Sequence, residues 1–304
     1  MAQLIKLLNY LSRYEQDIYH YPGQFIRLKR QQWKHTVNSW ENQKYHEAED
    51  SLDEEDTSEG SSSWLKLFKR KAKPEEAEEV HKTTPPLPMD KQELKRHFLD
   101  NLLPFQLKWA STTISRMSFL DRDYFTDPTL IYFLQRFPDT YLVMYDPLFQ
   151  LKKSTVEGDI ILLHPQGLDI VRVIKAETGD KFIASAGRTW EIQGSNGTRN
   201  MLSPLISLRR TEQVINSVLD LYGIEFPVRK VVISQINKID FESEPYNTRY
   251  IGADQHAEWL QYKQKEVSPL KHRQLKVGEA LLKHCQSISV KRPEWDQDGG
   301  LSFE

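Results

Sequence analysis

The fold of this chain is decided by the stretch from Val156 to Gly179, which reads V-E-G-D-I-I-L-L-H-P-Q-G-L-D-I-V-R-V-I-K-A-E-T-G. Two apolar runs flank a Pro-Gln-Gly turn, and this pattern predicts two buried neighbouring strands. Asp159 lies at the start of the first strand and Lys175 at the end of the second. An acid and a lysine on adjacent strands form the skeleton of a metal-dependent nuclease site. Val173 stands where such a site needs a second carboxylate.

Composition places the chain among ordinary globular proteins. Its 304 residues suffice for one sizeable core with appendages or for two modest domains. The 41 Lys and Arg residues nearly balance the 43 Asp and Glu residues, so any basic surface must be local. Cys285 is the single cysteine, which excludes an intramolecular disulfide. Because no signal peptide or membrane-spanning segment is recognisable, we expect a cytoplasmic protein.

Residues 1–45 are predicted to form two amphipathic helices separated by a break at Tyr21-Pro22-Gly23. Apolar residues recur at helical spacing on the first, and aromatic and basic residues alternate on the second. Such helices can pack on the main domain, bind a protein partner or a second copy of the chain, or hold nucleic acid through the aromatic and basic face. The sequence leaves these alternatives open.

Residues 46–90 are predicted to be a disordered linker with an acidic, a basic and a Pro-rich part. Eight acids lie among the seventeen residues 47–63, a composition that cannot bury a core. The basic segment Trp64–Lys73 follows, and it could contact nucleic acid or an anionic membrane, or neutralise the acidic run. Its candidate nucleic-acid-binding residues are Lys66, Lys69, Arg70 and Lys71.

Residues 91–240 are predicted to form an α/β domain with a mixed central sheet flanked by helices, and residues 241–304 a helical extension. Asp127-Pro128 is an N-cap and first-turn pair that predicts a short helix to about Phe137. Strands are expected near 141–145, 159–164, 170–175, 182–185, 189–192 and 231–235. A long helix is expected after Ser203-Pro204.

The region from Pro138 to Asp240 resembles the nuclease-related domain family, a branch of the restriction-endonuclease-like fold. The resemblance rests on the order of its elements, beginning with a strand and turn over Thr140 to Phe149 and the strand start Glu157-Gly158-Asp159. It continues through a turn glycine, a strand ending in lysine with a glycine four residues on, a tryptophan, a Pro-opened helix and a late apolar strand. These are Gly167, Lys175, Gly179, Trp190, Ser203–Leu205 and Val231–Ile233.

The resemblance implies phosphodiester cleavage with Mg²⁺, a cation that prefers oxygen ligands. Asp159 matches the metal-binding Asp of the family and Lys175 its lysine, whereas the second carboxylate falls on Val173. Glu157, which shares a face with Asp159, could supply a second metal ligand. Glu177 could approach Lys175 from the following turn. The candidate catalytic set is therefore Asp159, Lys175, Glu157 and Glu177, with Asp159 and Glu157 as the candidate metal pair.

Because the second carboxylate is missing, we expect a degenerate nuclease homologue of impaired or absent activity, with DNA or RNA as its partner and no cofactor. One alternative is a non-enzymatic interaction module. The other is an active Mg²⁺-dependent DNA or RNA nuclease.

Overall fold

The computed structural model describes residues 1–50, 90–152, 154–195, 197–266 and 268–292, with the backbone alone over 44–50. These residues form two compact units. The first contains residues 1–25 together with the chain from Leu103 onward, and the second contains Ile26–Leu102. In the second unit, the rings of Trp33 and Phe98 pack 5.1 Å apart. The predicted domain ranges stay predictions.

The described residues contain six α-helices and fourteen strands. The helices are α1 Tyr21–Asp50, α2 Lys91–Trp109, α3 Pro128–Arg136, α4 Leu205–Leu221, α5 Ala253–Lys265 and α6 His272–Lys283. The first seven strands are β1 Gln3–Leu7, β2 Arg116–Met117, β3 Leu142–Tyr145, β4 Leu148–Gln150, β5 Thr155–Glu157, β6 Ile160–His164 and β7 Gly167–Val173. The remaining strands are β8 Lys181–Ile183, β9 Thr189–Gly194, β10 Gly197–Leu202, β11 Val228–Ile233, β12 Lys238–Asp240, β13 Thr248–Ile251 and β14 Val290–Lys291.

The centre of the first unit is a six-stranded mixed sheet in the order β1-β3-β6-β7-β11-β13. Strands β3, β6 and β7 are antiparallel neighbours, whereas β1 runs parallel to β3 and β11 runs parallel to both β7 and β13. All five residues of β6 are buried, which explains its uninterrupted apolar sequence. Helix α4 contacts β7 and β11, α6 contacts β6, and α3 contacts β3. The predicted α/β class with a central sheet flanked by helices is confirmed.

A second, four-stranded sheet has the order β10-β9-β8-β12. Strands β8 to β10 form an antiparallel meander, and β12 joins β8 in parallel. Trp190 is fully buried on β9, and its ring meets the ring of Tyr250 on β13 at 5.1 Å. This contact joins the small sheet to the edge of the central one.

The N-terminal region differs from its prediction in two places. Helix α1 is present, but it begins at Tyr21 and therefore includes the predicted break at Tyr21-Pro22-Gly23, and the first residues are not helical. Gln3–Leu7 is not a helix. It is a fully buried strand that pairs with β3. Leu4, Leu7 and Leu8 fit helical spacing, but five residues are too few for periodicity to separate a helix from a buried strand. The pairing with β3 decides the outcome, and only the folded chain supplies it.

The C-terminal region is also less helical than predicted. Helices α5 and α6 are present, but β13 completes the central sheet and β14 pairs with β2. Helix α2 continues through Pro104 as far as Trp109. None of the helices in the described ranges is long and apolar enough to cross a membrane.

Candidate functional site

The site begins at the turn that follows β3. Asp146 has a φ of 45°, in the left-handed region that Asp and Asn tolerate better than most residues. The amide of Gly158 donates a 2.8 Å hydrogen bond to the carbonyl of Pro147. A Cβ at residue 158 would lie 2.8 Å from the ring of Phe149, so only glycine fits this close approach. The approach brings the Glu157-Gly158-Asp159 segment against the turn that carries Asp146.

Asp159 is a buried carboxylate whose two oxygens both have partners. Arg172 Nη1 donates to Oδ1 at 3.1 Å, and the Thr211 hydroxyl of α4 donates to Oδ2 at 2.8 Å. The main-chain amide of Asp159 donates in turn to Thr211 Oγ1 at 3.1 Å. Asp159 is only 2% exposed, whereas the Arg172 side chain is half exposed. The buried carboxylate therefore anchors the exposed guanidinium of Arg172.

A cavity of about 300 Å³ opens beside Arg172. Three of its lining side chains can carry charge, namely Asp146, Arg172 and Lys175. The other lining residues are Thr129, Tyr145, Ile160, Val171 and Val173. Two cations facing one acid in a partly apolar cleft is an arrangement that binds an anion and can also move a proton.

Asp146 is the titratable group best placed for proton transfer. Burial raises its pKa from 3.8 to about 6, and the charge of Glu157 adds to the rise while Arg172 opposes it. Asp159 and Asp127 add smaller contributions in the same direction. A carboxyl whose pKa lies near neutrality exchanges a proton readily, as a general acid or base requires.

Tyr145, which lines the cavity, is held in place by Asp127. The Tyr145 hydroxyl donates to Asp127 Oδ2 at 2.6 Å, and Oδ1 of the same carboxylate accepts from the Thr129 amide at 2.8 Å. Burial and the bond to Asp127 raise the pKa of Tyr145 well above its ordinary value, so its hydroxyl stays protonated. Asp127 thus caps α3 as the sequence predicts, and it also ties the helix to β3.

The structure brings the sequence-predicted residues together only in part. Lys175 lines the cavity, and Asp159 holds Arg172 at its rim. Glu157 is exposed, and it contributes to the site through its effect on Asp146. Glu177 instead faces Arg199, with Oε1 3.5 Å from Nη1. The candidate nucleic-acid residues Lys66, Lys69, Arg70 and Lys71 lie outside the described residues.

Within the described part of the chain, no group of three or more His, Cys, Asp and Glu side chains is arranged to hold a metal ion. Asp159 would have to release Arg172 or Thr211 to free an oxygen for one. The predicted metal pair is Asp159 and Glu157, and Mg²⁺ can bind through one or two carboxylates. The metal prediction stays untested.

Sequence reasoning missed Asp146 and gave Arg172 no role in the site. A usable signal was present, because Asp146-Pro147 directly follows the apolar run Tyr141–Tyr145 and so lies at a strand end. Polar residues at strand ends gather along one edge of a sheet, where sites form. The pKa of Asp146 depends on neighbours from other segments, which no local pattern encodes.

The fold and the cavity define a mixed α/β protein with an acid and two cations at the edge of its sheet. A curated protein of Geobacillus stearothermophilus, named RNA 2',3'-cyclic phosphodiesterase, is 35% identical to the chain over 115 residues. The match covers 35% of this chain and 36% of the relative, so the chain spans about a third of the length of that relative. No family model matches the chain. No solved structure matches it either.

The predicted membership of the nuclease-related domain family is wrong, because the relative carries the name of a different family and no family model supports the resemblance. The resemblance misleads because each sequence element on which it rests also occurs in unrelated folds, for common structural reasons. Acids begin strands after turns, glycines make the turns, and proline opens helices in many mixed sheets. The prediction of a degenerate nuclease with impaired or absent activity is wrong on the same finding, because the relative is named as an enzyme.

Proposed function

We propose that this chain is a phosphodiesterase that hydrolyses RNA-derived phosphodiesters, including 2',3'-cyclic phosphates, in the cavity lined by Asp146, Arg172 and Lys175. The observation that carries the proposal is the pKa of about 6 for Asp146 in a cleft that also holds two cations. The name of the Geobacillus relative supports the substrate class. RNA, one of the partners predicted from the sequence, agrees with that name.

The cations account for binding. A phosphodiester carries one negative charge, and Arg172 and Lys175 both line the cavity in which it would lie. Arg172 is the better oriented of the two, because Asp159 fixes its guanidinium. A guanidinium matches two phosphate oxygens with its fork of donors, whereas an ammonium acts as a point charge. Their charges also stabilise the additional negative charge that develops on phosphorus-bound oxygens in the transition state.

Asp146 accounts for proton transfer. In its ionised form the carboxylate takes a proton from a water molecule as the water oxygen bonds to phosphorus. One phosphorus–oxygen bond of the cyclic phosphate then breaks, and the proton passes to the departing ribose oxygen. The product is a phosphomonoester with one free ribose hydroxyl, so atoms and charge balance. The volume of about 300 Å³ lies at the small end of ligand cavities, which suits a phosphate with its ribose.

The finer part of the fold prediction, a restriction-endonuclease-like core, is also a proposal. It is supported by the order of α3, the antiparallel strands β3, β6 and β7, then α4, and β11 parallel to β7. Superposition of an experimental structure on such nucleases would test it.

The decisive experiment measures hydrolysis of a 2',3'-cyclic mononucleotide and of RNA, each in EDTA, Mg²⁺ and Mn²⁺. We expect cyclic phosphate opening by the wild type, and a loss of about a hundredfold or more in kcat/KM for Lys175→Gln. Lys181→Gln is the matched control, because Lys181 is half exposed and pairs with Asp240 away from the cavity. The absence of hydrolysis of either substrate under all three conditions would refute the proposal. Activity that appears only with a divalent ion would support the metal prediction.

A further inference from the structure

A second and larger cavity lies next to the first along α3. It measures about 700 Å³ and is lined by the end of α3, the segment after β11, and α5. Its polar lining consists of Tyr132, Arg136, Gln235, His256, Gln261 and Gln264, together with Glu258. A volume of this size accommodates a nucleotide with its base and sugar.

The chemistry of the second cavity suits a nucleobase. The Tyr132 hydroxyl and His256 Nε2 are 2.7 Å apart, with the two ring centroids 5.6 Å apart. Burial, with help from Arg136, lowers the pKa of His256, so the imidazole is neutral and accepts the bond from the tyrosine hydroxyl. Neutral aromatic rings offer a base a surface on which to stack.

Three of the remaining side chains can contact a base or a phosphate. Gln235 and Gln261 line the cavity with amide groups, which both donate to and accept from base edges. Arg136 is exposed at the mouth, where a guanidinium can pair with a phosphate. Gln264 has another role, because its Nε2 donates to the Arg136 carbonyl at 2.9 Å and so holds the end of α3.

Helix geometry sets the separation of the two cavities. Thr129 lines the first, and Tyr132 and Arg136 line the second. Residues three and seven positions apart lie along one helix face, and a rise of about 1.5 Å per residue places Arg136 about 10 Å from Thr129. The central sheet also places the two cavities side by side, since Lys175 of the first and Gln235 of the second follow the carboxyl ends of the paired parallel strands β7 and β11. Successive phosphates of one stacked strand advance about 3.4 Å, so about 10 Å spans at most a few nucleotides.

We infer that the second cavity binds the base of a nucleotide that flanks the scissile phosphate, so that the substrate is the end of an RNA oligonucleotide rather than a free cyclic mononucleotide. This inference rests on the proposed function, because it assumes that the reacting phosphate occupies the first cavity. Tyr132 and His256 stack the base, Gln235 and Gln261 contact its edge, and Arg136 pairs with the intervening phosphate.

The test compares two substrates: a 2',3'-cyclic mononucleotide and a trinucleotide that ends in a 2',3'-cyclic phosphate. The wild type should hydrolyse the trinucleotide with a kcat/KM about tenfold higher. The double variant Arg136→Gln/Gln261→Ala should lose that preference and keep its activity on the mononucleotide. Arg229→Gln/Gln213→Ala is the matched control, because both residues are exposed and neither lines the second cavity.

Equal kcat/KM values for the two substrates in the wild type would overturn the inference and leave the proposed function standing. A preference that survives in Arg136→Gln/Gln261→Ala would also overturn it. If neither substrate reacts, the proposed function fails. Binding of the trinucleotide still tests the cavity, followed by the intrinsic tryptophan fluorescence, to which Trp259 contributes with its ring 6.4 Å from that of His256. Binding that Arg136→Gln/Gln261→Ala weakens about tenfold would support a nucleotide site, and binding unaffected by the variant would overturn it.

Discussion

The pKa of Asp146 makes a prediction about stability that is independent of any substrate. In the folded chain the pKa of this carboxyl is about 6, against 3.8 for the free side chain, and burial is the main cause. Folding therefore favours the protonated form and penalises the ionised one. Asp146→Asn removes the charge at nearly constant shape, and Asn tolerates the φ of 45° at this position.

The sign and size of the effect follow from linkage. A carboxyl whose pKa is raised on folding costs nothing well below pH 3.8, where it is protonated in both states. The cost grows as the pH rises to about 6, and it is fully present above that value. The rise of the pKa from 3.8 to about 6 corresponds to a loss of about 3 kcal/mol in the free energy of unfolding. This value is an upper bound, because water stabilises the exposed part of the carboxylate. Asp146→Asn should therefore be more stable than the wild type by about 1–3 kcal/mol at pH 8, and by at most about 0.6 kcal/mol at pH 4.

Urea unfolding followed by tryptophan fluorescence at pH 4 and pH 8, with EDTA present, measures this difference. Asp220→Asn is the matched control, because Asp220 is an exposed carboxylate on α4 and its replacement should change stability by only a few tenths of a kcal/mol at either pH. A variant that is less stable than the wild type at pH 8 would refute the argument. So would a gain of equal size at both pH values, because the cause would then not be the titration of Asp146.

Two further predictions concern the pH dependence of activity and the far end of the sheet. Since ionised Asp146 is the proposed base, kcat/KM for a cyclic phosphate should rise with pH, with a midpoint near pH 6. This rise should be absent from the residual activity of Asp146→Asn. The same rise in the variant would show that another group titrates. At the other end of β7, burial opposes ionisation of Asp169, but His164 and Lys263 outweigh it and lower its pKa to about 2. Lys263→Met should lower the free energy of unfolding by about 3–5 kcal/mol at pH 7, and adding Asp169→Asn should recover part of that loss. If the effects of the two substitutions on urea unfolding simply add in the double variant, the two residues are not coupled.

The sequence predicts those parts of the fold whose causes are local. The strands β6 and β7 follow from two apolar runs around a turn, and the start of α3 follows from the capping pair Asp127-Pro128. Strand β1 has no such local cause. It lies beside β3, more than 130 residues away in the chain, and the buried Lys6 within it needs Glu15 as its partner. Contacts at such separation depend on the assembled sheet and leave no periodic trace.

The candidate site shows the same division. Lys175 was accessible to sequence reasoning because a strand-end lysine is visible in one segment. Asp146 was not, because its pKa depends on burial and on Glu157, which belongs to another strand. The charges of a site add in space rather than along the chain, so the spacing of residues in one segment predicts ligand positions and misses such a group.

The position of Val173 is the point at which sequence and structure can be reconciled. The sequence places no carboxylate two residues before Lys175, and Val173, the last residue of β7, indeed lines the cavity. The carboxylate that lines the cavity comes instead from Asp146, which follows β3 in a left-handed conformation. Asp159 meanwhile has both oxygens committed, so on the proposed mechanism it is a positioning residue that holds Arg172. An acid displaced onto another strand can still serve a phosphate bound beside Lys175, because proton transfer depends on distance and pKa rather than on which strand carries the group.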